Sequence, residues 1–131
     1  MSTFPDTTAL LRYLYADLTR ISEIVSDEIV LHTADRDLHS PPKAPVKGVA
    51  AVQAHEEALI ASTGGTLVMD VQSLTANEHF GTSLGVLRAT KAGKEDLAIP
   101  FCGVWRFKGG KAVEHWEQAA DMKAFLKWVN E

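Results

Sequence analysis

Apolar positions follow two rhythms along the chain. Leu10, Leu11, Leu14, Tyr15 and Leu18 recur at spacings of three and four, the stripe of an amphipathic helix. Asp6, with Thr7 and Thr8, supplies N-cap chemistry just before it, so residues 6–20 are predicted to form the first helix. Residues 21–26 read as a further short helical piece, and the β-branched run 29–33 as a short strand. Pro41, Pro42 and Pro45 make the polar stretch up to Lys47 irregular. Gly48 then introduces an Ala-rich, proline-free second helix over 49–62.

From residue 67 the period shortens to two. Residues 67–74, 80–90, 97–107 and 112–118 are strand-like and are separated by Asn77-Glu78, Ala92-Gly93 and Lys108-Gly109-Gly110. They predict three consecutive hairpins in an antiparallel meander. Met122, Phe125, Leu126 and Val129 return to helical spacing, which closes the chain with a helix over 121–130.

Turn lengths decide which side chains share a face. A three-residue loop at Lys108-Gly109-Gly110 places Trp105 opposite Val113, Gly103 opposite His115 and Phe101 opposite Glu117. Two-residue turns at Ala92-Gly93 and Asn77-Glu78 add Phe80, Leu84, Val86 and Ile99, then Leu67, Met69 and Val71, to that bulky side. It is expected to be the concave face covered by helices. The other side, with Gly81, Ser83, Gly85, Leu87, Ala89, Ala98, Cys102, Val104 and Trp116, is small and only partly polar, and a homodimer through it is expected. A two-residue Gly109-Gly110 turn would instead exchange the faces of His115 and Trp116.

Composition narrows the class. With 131 residues, 46% hydrophobic and 23% charged, the chain fits one α+β domain over 1–131 with a core of its own. The lone Cys102 rules out an intramolecular disulfide or a cysteine cage and fits a reducing compartment. Residues 1–8 lack the features of a signal peptide, and no stretch approaches the ~18 apolar residues of a membrane span. The expectation is a cytoplasmic protein without a membrane partner. A net charge of -4, with its 13 Lys and Arg scattered, argues against nucleic acid.

The order of two helices, a short strand and a meander ending in Trp105-Arg106-Phe107-Lys108-Gly109-Gly110-Lys111-Ala112-Val113-Glu114-His115-Trp116-Glu117 resembles the nuclear transport factor 2-like superfamily. Val30-Leu31-His32 and Gly48 make it similar to the SnoaL-like polyketide cyclase and ketosteroid isomerase branch. The resemblance spans about Leu10 to Asp121. It implies a cone-shaped, cystatin-like α+β barrel, a curved antiparallel sheet wrapped around helices and enclosing a pocket. In SnoaL-like cyclases a His and an acid two positions apart on the last strand face the pocket, and the acid is the base. His115 and Glu117 match those positions, with Glu where the family usually has Asp, and the match favours the three-residue turn. Against the ketosteroid isomerase pattern, Tyr15 approximates the oxyanion-hole Tyr, His32 stands where the base would be, and Gly103 stands where the oxyanion-hole Asp would be. That constellation is incomplete, so steroid isomerase activity is not expected.

His115 and Glu117 lie about 7 Å apart along one strand face, close enough to contact one ligand, and a carboxylate beside an imidazole in a dry pocket can serve as a general base. His32 and Tyr15 are candidates for a second acid or base. Trp105, Phe101, Phe80, Leu84, Met69 and Val113 are expected to line the cavity, with Arg88 at its rim. His55-Glu56-Glu57 is not read as a metal site, because consecutive helical residues diverge by about 100° and no second His follows four residues on. No metal and no cofactor are expected. The functional expectation is a cofactor-independent acid/base enzyme, a cyclase, isomerase or related lyase, acting on a small hydrophobic carbonyl or polyketide-like compound. The alternative is a non-catalytic small-molecule-binding or dimerisation module.

Overall fold

In the computed structural model, which describes residues 4–131, Asp6 begins the first helix as its spacing predicts. Its carboxylate accepts the Ala9 amide at 2.8 Å, and α1 runs Thr7–Ala16 with Leu10, Leu11 and Leu14 buried. This helix ends four residues early. Asp17 takes an extended backbone, and its carboxylate accepts the amide and hydroxyl of Thr19, which starts a 3₁₀ turn, Leu18–Arg20, ahead of α2, Ile21–Ile24. An Asp inside a helical pattern offers the backbone such a local alternative.

The strand expected over 29–33 is longer, β1 Val25–His32, and pairs with a two-residue β2, Val46–Lys47, beyond the irregular segment. Gly48, at φ +92°, turns the chain into α3, Val49–Ser62, over the predicted residues. Four strands follow: β3 Val68–Ala76, β4 Phe80–Ala89, β5 Leu97–Lys108 and β6 Lys111–Ala119. The chain closes with α4, Met122–Asn130, whose N-cap Asp121 accepts the Ala124 amide at 3.0 Å. The sheet order is β2-β1-β6-β5-β4-β3. All neighbours are antiparallel except β1 and β6, which run parallel, so the curved sheet is mixed and open, where a wholly antiparallel barrel was expected.

The β5–β6 hairpin departs from the expected register and still keeps the faces of its site residues. Lys108 pairs with Lys111 around a two-residue turn of Gly109 and Gly110, both at positive φ. A bulge next to Phe107 adds one residue to β6, so Trp105 lies opposite His115, Gly103 opposite Glu117 and Phe101 opposite Ala119. Turn and bulge together restore the parity, and His115 and Glu117 stay on the inner face.

On β4 the expected faces are reversed. Ala89 pairs with Leu97 across a seven-residue loop, 90–96, in place of the expected two-residue turn, and odd parity turns the strand over. Phe80 and Leu84 are 54% and 48% exposed on the outside, whereas Gly81, Ser83, Leu87 and Ala89 are buried inside. Crowding explains the small residues. A Cβ on Gly81 would lie 2.8 Å from Leu11 Cδ1, and one on Gly85 only 2.1 Å from the Asp70 carbonyl oxygen, so glycines let α1 pack onto the sheet and let β3 lie close against β4 at its irregularity.

The core forms two clusters. One joins α1, α2 and β1 around Trp105 and Phe107, and the other joins Phe125 of α4 to Leu87, Ile99 and Phe101. No helix among the described residues is long and apolar enough to cross a membrane. The reading of residues 1–8 falls partly on 1–3, outside the described residues.

Candidate functional site

A cavity of about 340 Å³ opens between the two clusters, bounded by α1, α3, α4 and the inner face of β3 to β6. Met69, Leu87, Ile99, Phe101 and Phe125 give it apolar walls. Its polar group is assembled from elements distant in sequence: His55 and Glu56 on α3 and Glu117 on β6 present nitrogen and oxygen atoms all within 4.8 Å of one another.

Glu117 is the ionised member. His55 Nε2 meets its two carboxylate oxygens at 3.0 and 3.3 Å, and the Ala34 amide donates to it at 3.3 Å. Burial works against a charged Glu117, but the hydrogen bond and charge of His55 outweigh it and hold the pKa below the usual carboxylate range. His55 is shifted the opposite way. Burial opposes its imidazolium, yet the hydrogen bond and charge of Glu117, with Glu56 and Asp35 behind them, raise its pKa.

Glu56 sits with Val52 on the face that α3 buries, and it is only 3% exposed. Its carboxyl has no hydrogen-bond partner among the described residues and borders the cavity. Burial, and secondarily the charge of Glu117, push its pKa up to about 8. Two carboxyls so close in an apolar wall share one negative charge.

His115 stacks on Trp105 with ring centroids 3.5 Å apart, and its Nδ1–H donates to the Val104 carbonyl at 3.0 Å. Burial lowers its pKa to about 4, against the charge of Glu117, so the ring is neutral near pH 7 and its Nε2 is an acceptor. Tyr15 is tied into a chain of hydrogen bonds. Trp105 Nε1 donates to its hydroxyl at 3.1 Å, that hydroxyl bonds Ser83 at 2.7 Å, and Ser83 reaches the Gly103 carbonyl at 3.5 Å. Burial raises the Tyr15 pKa above its ordinary value.

The cavity therefore brings together His115, Glu117, Tyr15, Trp105, Phe101 and Met69 from the expected set. His32 is not among them. It follows the inward Leu31, lies on the outer face stacked on Trp116, and bonds Glu114 at 2.7 Å. Phe80 and Leu84 leave the site through the turned β4, Arg88 pairs with Asp70 at 3.1 Å on the outer face, and Val113 is buried at the bulge away from the cavity. His55 and Glu56 were missed as a functional pair. A charged residue four positions after Val52 on an apolar helix face was the available signal. Among the described residues, the same triad is the one place whose donors could gather around a metal, and here His55 and Glu117 bond each other.

Solved structures show the same fold. Bal32a, from a soil-derived mobile gene cassette, is 23% identical with a TM-score of 0.73 over 88% of this chain and 90% of its own. IdmH of Streptomyces antibioticus, described as a candidate polyketide cyclase, is 16% identical with a TM-score of 0.70 over 91% and 95%. TerC, crystallised with polyporic acid, is 13% identical with a TM-score of 0.70 over 95% of each chain. No curated protein sequence matches the chain. The SnoaL-like domain family matches residues 12–115, most of the chain's length, and the chain belongs to that family.

Proposed function

We propose that this SnoaL-like protein is a cofactor-independent acid/base enzyme that moves a proton on a small hydrophobic carbonyl compound of polyketide type. One observation carries the reading: an ionised carboxylate, Glu117, stands in an apolar cavity with its charge held in place by His55. A base kept ionised but poorly hydrated is suited to taking a proton from a carbon or hydroxyl next to a carbonyl. Neutral His115 offers its Nε2 as an acceptor beside it, and Trp105 and Phe101 supply flat apolar walls. The family membership, the likeness to IdmH and the polyporic acid held by TerC support the substrate class.

Glu117→Gln and His115→Ala, assayed separately on a panel of aromatic polyketide-like ketones with product detection by mass spectrometry, test it. Glu117→Gln is expected to lower turnover by 10²-fold or more, the range of a general base. Unchanged rates in both variants overturn the reading. The rival is a binding module without chemistry, favoured by the Tyr15 hydroxyl being committed to internal hydrogen bonds. A ligand that raises the melting temperature and is recovered unaltered would support that rival. A homodimer through the outer sheet face belongs to the same proposal, supported by exposed Phe80 and Leu84 beside Val104 and Trp116.

A further inference from the structure

We infer that Glu56 is the proton-carrying partner of Glu117, presenting a neutral carboxylic acid to the carbonyl oxygen of an uncharged ligand. The inference rests on the acid/base reading above and names a residue and a ligand charge that the reading leaves open. Its basis is geometric. Glu56 is 3% exposed, has no hydrogen-bond partner among the described residues, borders the cavity, and places an oxygen within 4.8 Å of both His55 and Glu117. A buried, unpaired carboxylate is strongly disfavoured, whereas a carboxylic acid only needs an acceptor for its O–H. Beside it the Glu117 carboxylate already has its donors in His55 and Ala34. The free O–H of Glu56 is thus left for the ligand.

The other ionisable groups bordering the cavity keep this assignment. His115 on β6 is neutral, Tyr15 on α1 keeps its proton, and Lys43 in the irregular segment spends its charge on Asp35 at 3.2 Å. His55 is engaged by Glu117. Among the described residues bordering the cavity no cation is left for a ligand, because the charge of His55 is spent on Glu117 and that of Lys43 on Asp35, so an anionic ligand would find no partner. A neutral ketone suits both groups. Glu117 takes the proton from the carbon beside the carbonyl, and the C–H electron pair becomes the new C=C bond. The carbonyl π pair moves onto oxygen, which takes the Glu56 proton. The ketone becomes its enol, Glu117 ends protonated and Glu56 ionised, and reversal with a solvent-exchanged proton restores both, with no oxidant or cofactor.

Two measurements test the assignment. Difference infrared spectroscopy of the wild-type chain against Glu56→Gln at pH 7 reads the carbonyl stretch of a protonated carboxylic acid and needs no ligand. The band is expected in the wild type and lost in the variant, and its absence from the wild type overturns the inference. Deuterium uptake from D₂O into β-tetralone, a neutral bicyclic ketone, then tests the transfer. The rate is expected to fall as pH rises past about 8, and Glu56→Gln to be at least tenfold slower without that alkaline limb. Glu56→Asp is expected to restore the limb. A Glu56→Gln variant with the wild-type rate and profile overturns the inference. A wild type that exchanges nothing defeats the acid/base reading and the transfer step with it, while the infrared band decides separately whether Glu56 is neutral.

Discussion

A Cβ on Gly103 would lie 2.5 Å from the Tyr15 hydroxyl, 2.7 Å from Ser83 Oγ and 3.2 Å from His115 Cε1. The position that in ketosteroid isomerases would carry an oxyanion-hole Asp is here filled from three directions by other side chains, so no acid fits. Gly103→Ala is expected to cost ~1–3 kcal/mol as an overpacked core, read as a lowered urea midpoint. The carboxyl pair gives a pH signature. Glu56, with a folded pKa raised to about 8, contributes stability that is present below its unfolded value and is lost as pH rises through 8. His115, lowered to about 4, contributes stability present above its unfolded value of about 6.5 and lost as pH falls towards 4. Their slopes oppose each other below about pH 6.5, and above it Glu56 and His55, whose pKa Glu117 also raises, lose stability together. Unfolding free energy measured in urea is therefore expected to decline from pH 6.5 to 8 in the wild type and to decline less steeply in Glu56→Gln, where the His55 contribution alone remains. His55→Ala removes the donor and charge that hold Glu117 ionised, and the acidic limb of the pH–rate profile is expected to move to higher pH.

At the scale of elements, α3 and α4 were legible almost to the residue, because Gly48, Asp121 and the apolar spacing agree with one another. Helix α1 was read too long because its stripe continues to Leu18 while Asp17 diverts the backbone. The turned β4 is the larger lesson. Alternation located the strand but not its faces, since a loop of seven residues and one of two differ in parity and both were compatible with Ala92-Gly93. Small residues were then taken for the outer face, although Gly81 and Gly85 are small because α1 and β3 press on them. Gly85→Ala drives a Cβ into backbone at Asp70, which cannot yield as a side-chain tip can. A loss at or beyond the ~3 kcal/mol upper end of overpacking is expected, measured by thermal unfolding.

For the whole molecule, the turned strand changes the surface proposed for dimerisation. Phe80 and Leu84 add bulky apolar side chains beside Trp116 and Val104, where Gly81, Ser83, Gly85, Leu87 and Ala89 were expected. Under the dimer proposal, Leu84→Lys is expected to give a monomer in sedimentation equilibrium while changing monomer stability by no more than ~0.5 kcal/mol, as an exposed substitution. An unchanged sedimentation mass would place any self-association elsewhere. The cavity also belongs to this scale, because α3, β6 and the segment after β1 supply His55, Glu117 and Ala34 from 83 residues of chain separation.

Local pattern alone determined the main elements, their order and the family resemblance. All of these follow from spacings within a few residues. The tertiary structure alone decided that His32 faces outward, that β4 is turned over, and that Glu56 and His55 complete the site with Glu117. Those outcomes depend on loop parity, a one-residue bulge and packing between elements far apart in the chain. No periodicity within a single segment encodes them.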